Sequence, residues 1–159
     1  MLNRLCAAIA IMLFWGPALQ AQTLQIVTTE GKTTTLTAAQ IAAAPHVTVN
    51  ARDHDTPAEF EGVPVNALLS LAGIPLGTTM HGPRFAEVMM VEAADGYRVA
   101  FALAEVDPDF ATREIILADK RDGKPLDAKQ GPFRIVAPGD KRPARWVRQV
   151  TTLRIIVLK

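Results

Sequence analysis

The chain has 159 residues, of which 49% are hydrophobic and 21% are charged, and its formal net charge is +1. This composition is typical of one ordinary globular domain. The only cysteine is Cys6 and the only serine is Ser70, which excludes a disulfide framework and a cysteine-ligated zinc site and argues against a serine hydrolase.

The first 21 residues have the pattern of an export signal. Arg4 supplies a positive charge, Leu5 to Gly16 is a short apolar segment, and Pro17 to Ala21 ends in a small residue suited to cleavage. The apolar segment is too short for a bilayer-spanning helix, which needs about 20 residues. We therefore expect a periplasmic or secreted protein without stable membrane insertion, with a single domain over residues 22–159. Export also removes the usual access to nucleic acid, so we expect no nucleic-acid partner.

The first half of this domain predicts a hairpin, a helix and a strand. Leu24 to Thr29 and Thr33 to Leu36 alternate like paired strands on either side of a Gly31 turn. Thr37 and Gln40 have the spacing of a capping box, and Pro45 ends the helix that they begin. His46 to Asn50 is rich in β-branched residues and predicts a strand. A polar loop over Ala51–Pro57 is expected to follow.

The second half predicts a short helix and several short strands. Pro64 suits an early helical position, and Leu68, Leu69 and Leu71 form the apolar side of the helix that it begins. Asp95-Gly96 predicts a hairpin between Val88–Val91 and Arg98–Phe101, which we expect at the centre of the sheet. Further strands are predicted at Ile115–Ala118, Phe133–Val136 and Val150–Leu158. Two short helices among many strands indicate a β-rich α+β fold with a mixed sheet.

Basic residues are concentrated at the C-terminal end. From Arg134 to Lys159 there are seven basic residues and one acidic residue, whereas residues 22–133 carry nine basic and fifteen acidic residues. Lys141, Arg142 and Arg145 stand beside the turn at Gly139, where turn amides and cations together suit a phosphate or another oxyanion. Trp146 supplies either a flat surface or a core anchor. The alternative is a solvated basic face with Trp146 buried.

The polar segment Asn50–Asp55 is the second candidate. It follows a strand end, where binding groups commonly lie. With His46, it would offer His54 and Asp53 as metal ligands, but no helical pair of metal-ligating histidines is present. No metal site is therefore assigned.

Three segments carry a resemblance to a known family. These are FEGVPVNALLSLAGIPLG, then VMMVEAADGYRVAFAL, then DGKPLDAKQGPFRIVAPGDKRPARWVRQV. In this order and spacing the chain resembles the molybdopterin-binding oxidoreductase domain of the sulfite oxidase family, over nearly all of residues 22–159.

The resemblance implies a β-rich α+β fold and a molybdopterin cofactor whose phosphate is held by basic residues. In this chain those would be Lys141, Arg142 and Arg145, with Arg145 and Arg142 as the main anion contacts, and the further cofactor contacts would be Trp146, Asn50, Arg52 and His54. Catalytic members bind molybdenum through a cysteine thiolate after the strand matched by His46–Asn50. This chain has Asn50-Ala51-Arg52 there, which argues against bound molybdenum.

Two functions remain open at this point. The first is an exported molybdopterin-binding oxidoreductase-like domain, catalytically impaired by the missing thiolate. The second is a non-enzymatic periplasmic binding or sensory module that uses the same groove for a small oxyanion or for a protein partner.

Overall fold

The computed structural model describes residues 22–158. The predicted signal segment, residues 1–21, lies outside the described residues. Within the described part of the chain, no helix is long and apolar enough to cross a membrane. The strands are β1 (Thr23–Val27), β2 (Thr33–Thr37), β3 (Val47–Asp53), β4 (Thr56–Pro64), β5 (Glu87–Ala93), β6 (Arg98–Ala102), β7 (Ile116–Arg121), β8 (Lys124–Pro125), β9 (Arg134–Val136) and β10 (Val150–Val157), and the helices are α1 (Ala38–Ala43) and α2 (Val65–Leu71).

The first sheet has five strands in the order β2-β1-β10-β5-β6. β1 pairs with β2 antiparallel and with β10 parallel, so the sheet is mixed, as the sequence predicts. The predicted hairpin of β5 and β6 is confirmed. Its predicted place at the centre of the sheet is wrong, because β10 takes that position and leaves β6 at an edge. The central strand is the one whose partners lie farthest from it along the chain.

The second sheet is antiparallel, with β3, β4 and β7 side by side. The far edge of β7 is shared by two short strands, since β9 pairs with Ile116–Ala118 and β8 with Lys120–Arg121. The loop predicted over Ala51–Pro57 is wrong. β3 and β4 continue through it in register and meet at a two-residue turn of His54 and Asp55.

The two helices lie where the sequence places them. Thr37 caps α1, its hydroxyl accepting from the Gln40 amide while the Gln40 side chain accepts from the Thr37 amide, which confirms the capping box. Pro64 is the N-cap of α2, and Leu68 and Leu69 are fully buried. Leu71, predicted on the apolar side of this helix, is instead 63% exposed. Val65, Leu68 and Leu69 share the buried face at helical spacing, and Leu71 lies off that face.

One hydrophobic core takes side chains from both sheets. Leu24, Met89 and Leu153 enter it from the first sheet, and Phe60 and Leu117 enter it from the second. β4 approaches β7 closely where the register shifts at Gly62. A Cβ atom there would lie 2.2 Å from the Leu117 carbonyl oxygen, so only glycine fits this contact.

Candidate functional site

A cleft of about 830 Å³ opens where four connections of the two sheets meet. We call it the basic cleft. Its lining comes from the β3–β4 turn, the β5–β6 turn, the β8–β9 connection and the long β9–β10 connection. The lining residues are His54, Asp55, Ala93, Asp95, Tyr97, Lys129, Lys141, Arg142, Pro143, Ala144, Trp146, Val147, Arg148 and Gln149.

Cations outnumber carboxylates in this lining. Lys129, Lys141, Arg142 and Arg148 face only two acids, Asp55 and Asp95. Within residues 22–158, none of the four cationic side chains forms an ion pair, although six other basic residues do, namely Arg84, Lys120, Arg121, Arg134, Arg145 and Arg154. Exposed and unpaired cations around a concave surface concentrate positive potential there, so the cleft suits an anionic ligand.

The β3–β4 hairpin brings one predicted site residue to the cleft and leaves two outside it. Side chains alternate along β3, so Asn50 and Arg52 lie on its exposed face, and neither lines the cleft. The Arg52 guanidinium instead donates to the Asp55 carbonyl at 3.0 Å. His54 occupies the turn with a left-handed φ of 57°, and its imidazole lines the cleft.

Directly behind this lining lies a group of buried charges, which we call the buried arginine cluster: Asp53, Arg121 and Arg134. The two Arg134 terminal nitrogens donate to the two Asp53 carboxylate oxygens at 2.8 and 3.1 Å, and Arg121 donates to one of them at 2.9 Å. Arg134 is 1% exposed and Asp53 is 8% exposed. The hydrogen-bonded Arg134 holds the pKa of Asp53 below its ordinary value, against the opposing effect of burial. Asp53 is therefore ionised, and its carboxylate is hydrogen-bonded to two arginines.

Trp146 joins the cluster to the cleft. Its ring is 4% exposed, its indole nitrogen donates to the Ala137 carbonyl at 3.1 Å, and the Arg134 guanidinium lies 5.4 Å from its centre. The Phe60 ring packs edge-on at 5.7 Å. Trp146 is thus mainly an anchor that stacks on Arg134, with one side contributing to the cleft.

Arg145 is separated from the other basic residues of its segment. Its guanidinium donates to Asp140 at 2.6 and 3.1 Å and to Glu105 at 3.0 and 3.3 Å, and it stacks on the Phe101 ring at 4.5 Å. It does not line the basic cleft. The expected anion contact at Arg145 is therefore not supported by its position, because two carboxylates already occupy its donors.

The cleft also contains residues that sequence reasoning did not assign to it. Lys129 lies in the β8–β9 connection and Arg148 lies in the β9–β10 connection. The sequence analysis names neither of them as an anion contact. Tyr97, half exposed, donates its hydroxyl hydrogen to the Ala144 carbonyl at 3.0 Å. Arg134 could have been found from the sequence, since an arginine between Phe133 and Ile135 in a buried strand requires a buried partner.

The donor set of the described residues does not fit a thiolate-ligated metal. Residues 22–158 contain no cysteine and no group of three histidine, cysteine or acidic side chains placed to hold a metal ion. His46 and Asp53 lie at opposite ends of β3, about 23 Å apart at about 3.3 Å per residue. His46 instead contacts Asp119 at 3.1 Å. The four unpaired cations, by contrast, do fit a phosphate.

Comparison with known proteins identifies a matching family model and a solved structure with a similar fold. A family model described as "Oxidoreductase molybdopterin binding domain" matches residues 22–157. The crystal structure of the sulfane dehydrogenase SoxCD from Paracoccus pantotrophus has a similar fold, with a TM-score of 0.66 and 22% identity, covering 84% of this chain. This chain spans only 38% of that dehydrogenase chain. No curated protein matches in sequence. The expected β-rich fold with a mixed sheet and few short helices is confirmed.

Proposed function

Because the chain belongs to the oxidoreductase molybdopterin-binding domain family, of the sulfite oxidase type, we propose that its basic cleft binds the phosphate of a molybdopterin-class pterin. The observation that carries this proposal is the set of four cationic side chains that line the cleft without forming an ion pair within residues 22–158. Such cations gain charge-assisted hydrogen bonds when an anion arrives, and they give up no existing partner.

Lys141 and Arg142 would hold the phosphate from one side of the cleft, and Lys129 and Arg148 from the other. His54 adds a ring nitrogen beside them, and Tyr97 offers half of its ring to the organic part of the ligand. In cofactor enzymes the bound group supplies the redox chemistry, whereas the protein binds and orients it. The residues of this chain would perform only the binding and orientation.

We propose further that molybdenum redox chemistry is impaired in this chain. A soft thiolate tunes a bound metal in a way that oxygen and imidazole donors do not reproduce. Asp53, the residue that follows Arg52, is buried and held by Arg134 and Arg121. No catalytic residue is assigned.

A second candidate function rests on the openness of the same cleft. His54 is 73% exposed on its rim, and the four cationic residues are themselves exposed, so the cations are accessible to solutes or to an acidic protein surface. A non-enzymatic periplasmic module that binds a small oxyanion or an acidic partner would use the same residues. Pterin content separates this candidate from the first.

The full chain should carry pterin when it is purified from a molybdenum-replete exporting host. Oxidation and denaturation convert the bound group to a fluorescent pterin, and metal analysis of the same sample measures molybdenum. We expect stoichiometric pterin, and a content lowered at least about tenfold in the K141A/R142A variant because two charged hydrogen-bond donors are lost.

The matched control is the K32A/K124A variant, which removes two exposed lysines outside the basic cleft and should keep the pterin of the unaltered chain. Absence of pterin from the unaltered chain would refute the proposal in favour of the small-anion module. An unchanged pterin content in K141A/R142A would place the ligand elsewhere.

We propose export on the pattern of residues 1–21. The protein recovered from the periplasmic fraction should begin at Gln22 in N-terminal sequencing, because cleavage is expected after Ala21. Recovery of the chain only from the cytoplasm, with Met1 retained, would contradict export.

A further inference from the structure

Strand β3 leaves one edge of the second sheet open. It pairs with β4 on one side through seven consecutive residues, Val47 to Asp53. No strand lies on its other side, and within residues 22–158 its backbone makes no hydrogen bond to another backbone group outside the β4 ladder. Alternate residues of a strand point their N–H and C=O groups to opposite sides. The open edge of β3 therefore presents a row of unpaired donors and acceptors.

This edge lacks the features by which edge strands usually avoid a partner. Such features are short length, proline, lysine and bulges. The other edge strands are shorter, since β2 and β6 have five residues each and β8 has two. β3 contains no proline, glycine or lysine, and its register with β4 continues without a bulge. Among the edge strands of residues 22–158, β3 is thus best able to accept another strand.

A second copy of β3 fits this edge best in one register. Two antiparallel strands related by a two-fold axis pair residues whose numbers have a constant sum, and paired side chains lie on the same face of the sheet. With Asn50 opposite Asn50 of the second copy, every residue of β3 has a partner, because Val47 then faces Asp53. A two-fold axis at Val49 or at Ala51 would pair only residues 47–51 or 49–53. The register centred on Asn50 therefore forms the most backbone hydrogen bonds.

The exposed face of the sheet has complementary charges in this register. Thr48, Asn50 and Arg52 lie on this face of β3, and β4 places Glu61 beside Thr48 and Glu59 beside Asn50. Arg52 of the second copy would lie opposite Thr48. Its Cα atom would then be two strand spacings, about 10 Å, from that of Glu61, which is within the combined reach of an arginine and a glutamate side chain.

The charged groups that would meet are not fully neutralised within one copy. Within residues 22–158, neither Arg52 nor Glu59 forms an ion pair, and Lys120 pairs only with Glu61. Two glutamates and one lysine leave a net negative charge on this part of β4 and β7. Arg52 of the second copy would offset that charge, and the two-fold axis repeats the contact on the other side.

We propose that two copies of this chain associate by antiparallel pairing of their β3 strands about a two-fold axis at Asn50. The pairing joins the second sheet of one copy to that of the other in one continuous sheet. Because the same edge is used by both copies, the contact closes on itself and assembly stops at a dimer. Residues 47–53, Glu59 and Glu61 do not line the basic cleft, so the dimer does not depend on the ligand of the cleft.

Sedimentation of the full chain, over a concentration series that reaches the millimolar range, measures this association. The unaltered chain should pass from monomer to dimer without larger species. Asn50→Asp should raise the dissociation constant at least about fivefold, because it places two carboxylates opposite each other beside Glu59. Arg52→Glu should also raise it, because attraction to Glu61 becomes repulsion.

The matched control is Thr35→Asp, which introduces the same charge at the centre of the β2 edge. It should change the dissociation constant by less than about twofold. Thr35, Asn50 and Arg52 are all exposed. Thermal unfolding of the three variants at low concentration, where the monomer dominates, should therefore match that of the unaltered chain.

Disulfide formation measures the register directly. In a Cys6→Ala background, an introduced thiol is the only one in the chain. Directly opposed residues of antiparallel strands have Cβ atoms about 4.5–5.5 Å apart, which is close to disulfide geometry, so Asn50→Cys should cross-link under mild oxidation. The two copies of Thr48 would lie about 14 Å apart in the same register. Thr48→Cys should therefore cross-link at least about tenfold more slowly.

A chain that stays monomeric throughout the concentration series would overturn the proposal. Equal dissociation constants for Asn50→Asp and Thr35→Asp would do the same, as would faster cross-linking of Thr48→Cys than of Asn50→Cys. Pterin content tests the basic cleft separately, so failure of the dimer leaves the proposed function in place.

Discussion

Asp53 shows how one residue connects a buried charge to an exposed site. Its carboxylate accepts from Arg134 and Arg121, and the next residue, His54, lines the basic cleft. Arg121 also pairs with the Asp122 carboxylate at 3.4 Å, so the two guanidinium groups behind the cleft lining are balanced by two carboxylates. Stacking of Arg134 between Phe60 and Trp146 at 5.5 and 5.4 Å compensates part of the burial.

We expect Asp53→Asn to lower the free energy of unfolding by about 3–5 kcal/mol, because it keeps the shape of the side chain and leaves Arg134 buried without a counter-charge. Chemical denaturation at neutral pH measures the loss. Because the pKa of Asp53 is lowered, its contribution is present above the ordinary aspartate pKa. The contribution disappears as pH falls through the lowered value.

Asp55→Asn is the matched control, since Asp55 is exposed and lies two positions along the same hairpin. Its effect on unfolding should stay within about 0.5 kcal/mol. Equal stability of the two variants would show that the cluster contributes nothing net.

Single residues also show which parts of the candidate site the sequence brings together. Lys141, Arg142 and Trp146 are close in the chain, and the structure keeps them together at the basic cleft. Arg145 belongs to the same segment but pairs with Glu105, forty residues earlier. A contact between residues so far apart cannot be predicted from the local sequence. Composition alone therefore could not distinguish the paired Arg145 from the unpaired Lys141 and Arg142.

At the scale of elements, turn chemistry decides which hairpins can be read from the sequence. The β5–β6 turn contains Asp95-Gly96 and is predicted correctly. The β7–β8 turn contains the same type of pair, Asp122-Gly123. The β3–β4 turn consists of His54 and Asp55, and a non-glycine residue adopts the left-handed conformation. Without glycine or asparagine the turn resembles an ordinary polar loop, so the sequence pattern places Asn50 and Arg52 in a binding loop, whereas the structure places them on the exposed face of β3.

His46 joins the start of β3 to β7, across β4. Its Nδ1 atom lies 2.7 Å from the Ala44 carbonyl, and its Nε2 atom lies 3.1 Å from the Asp119 carboxylate. Both neighbours are acceptors, so only the protonated ring can donate to both. Burial lowers the pKa of His46, but these two acceptors outweigh burial and raise it above its ordinary value.

A raised histidine pKa contributes stability that is complete below the unfolded pKa and is lost as pH rises through the folded one. We therefore expect the difference in unfolding free energy between the unaltered chain and His46→Gln to shrink as pH rises from about 5 to 8. Denaturation across this range measures it. His81→Gln, at an exposed histidine without a side-chain hydrogen bond within residues 22–158, should leave the pH profile unchanged. A profile for His46→Gln that parallels the unaltered chain would exclude the contact as the cause.

At the scale of the whole molecule, the fold class follows from the sequence, whereas the arrangement of strands does not. Short strands with few helices indicate a β-rich domain, and the resemblance of its motifs identifies the family. The division into two sheets depends on pairings between residues far apart, such as Gln25 with Thr152. The basic cleft is assembled in the same way, since Lys129 and Arg148 lie in separate segments that Gln149 joins by hydrogen bonds to the Gln130 and Ala128 carbonyls.

The central position of β10 has a consequence for the order in which the chain is made. β1 and β5 both pair with it, yet residues 150–157 are synthesised after every residue of their partners. Until then the first sheet consists of two separate hairpins, and each isolated hairpin is marginally stable at best in water. The chain therefore emerges from the ribosome without a completed sheet. Under the export proposed above, the first sheet would close only after β10 had also passed through the translocation channel.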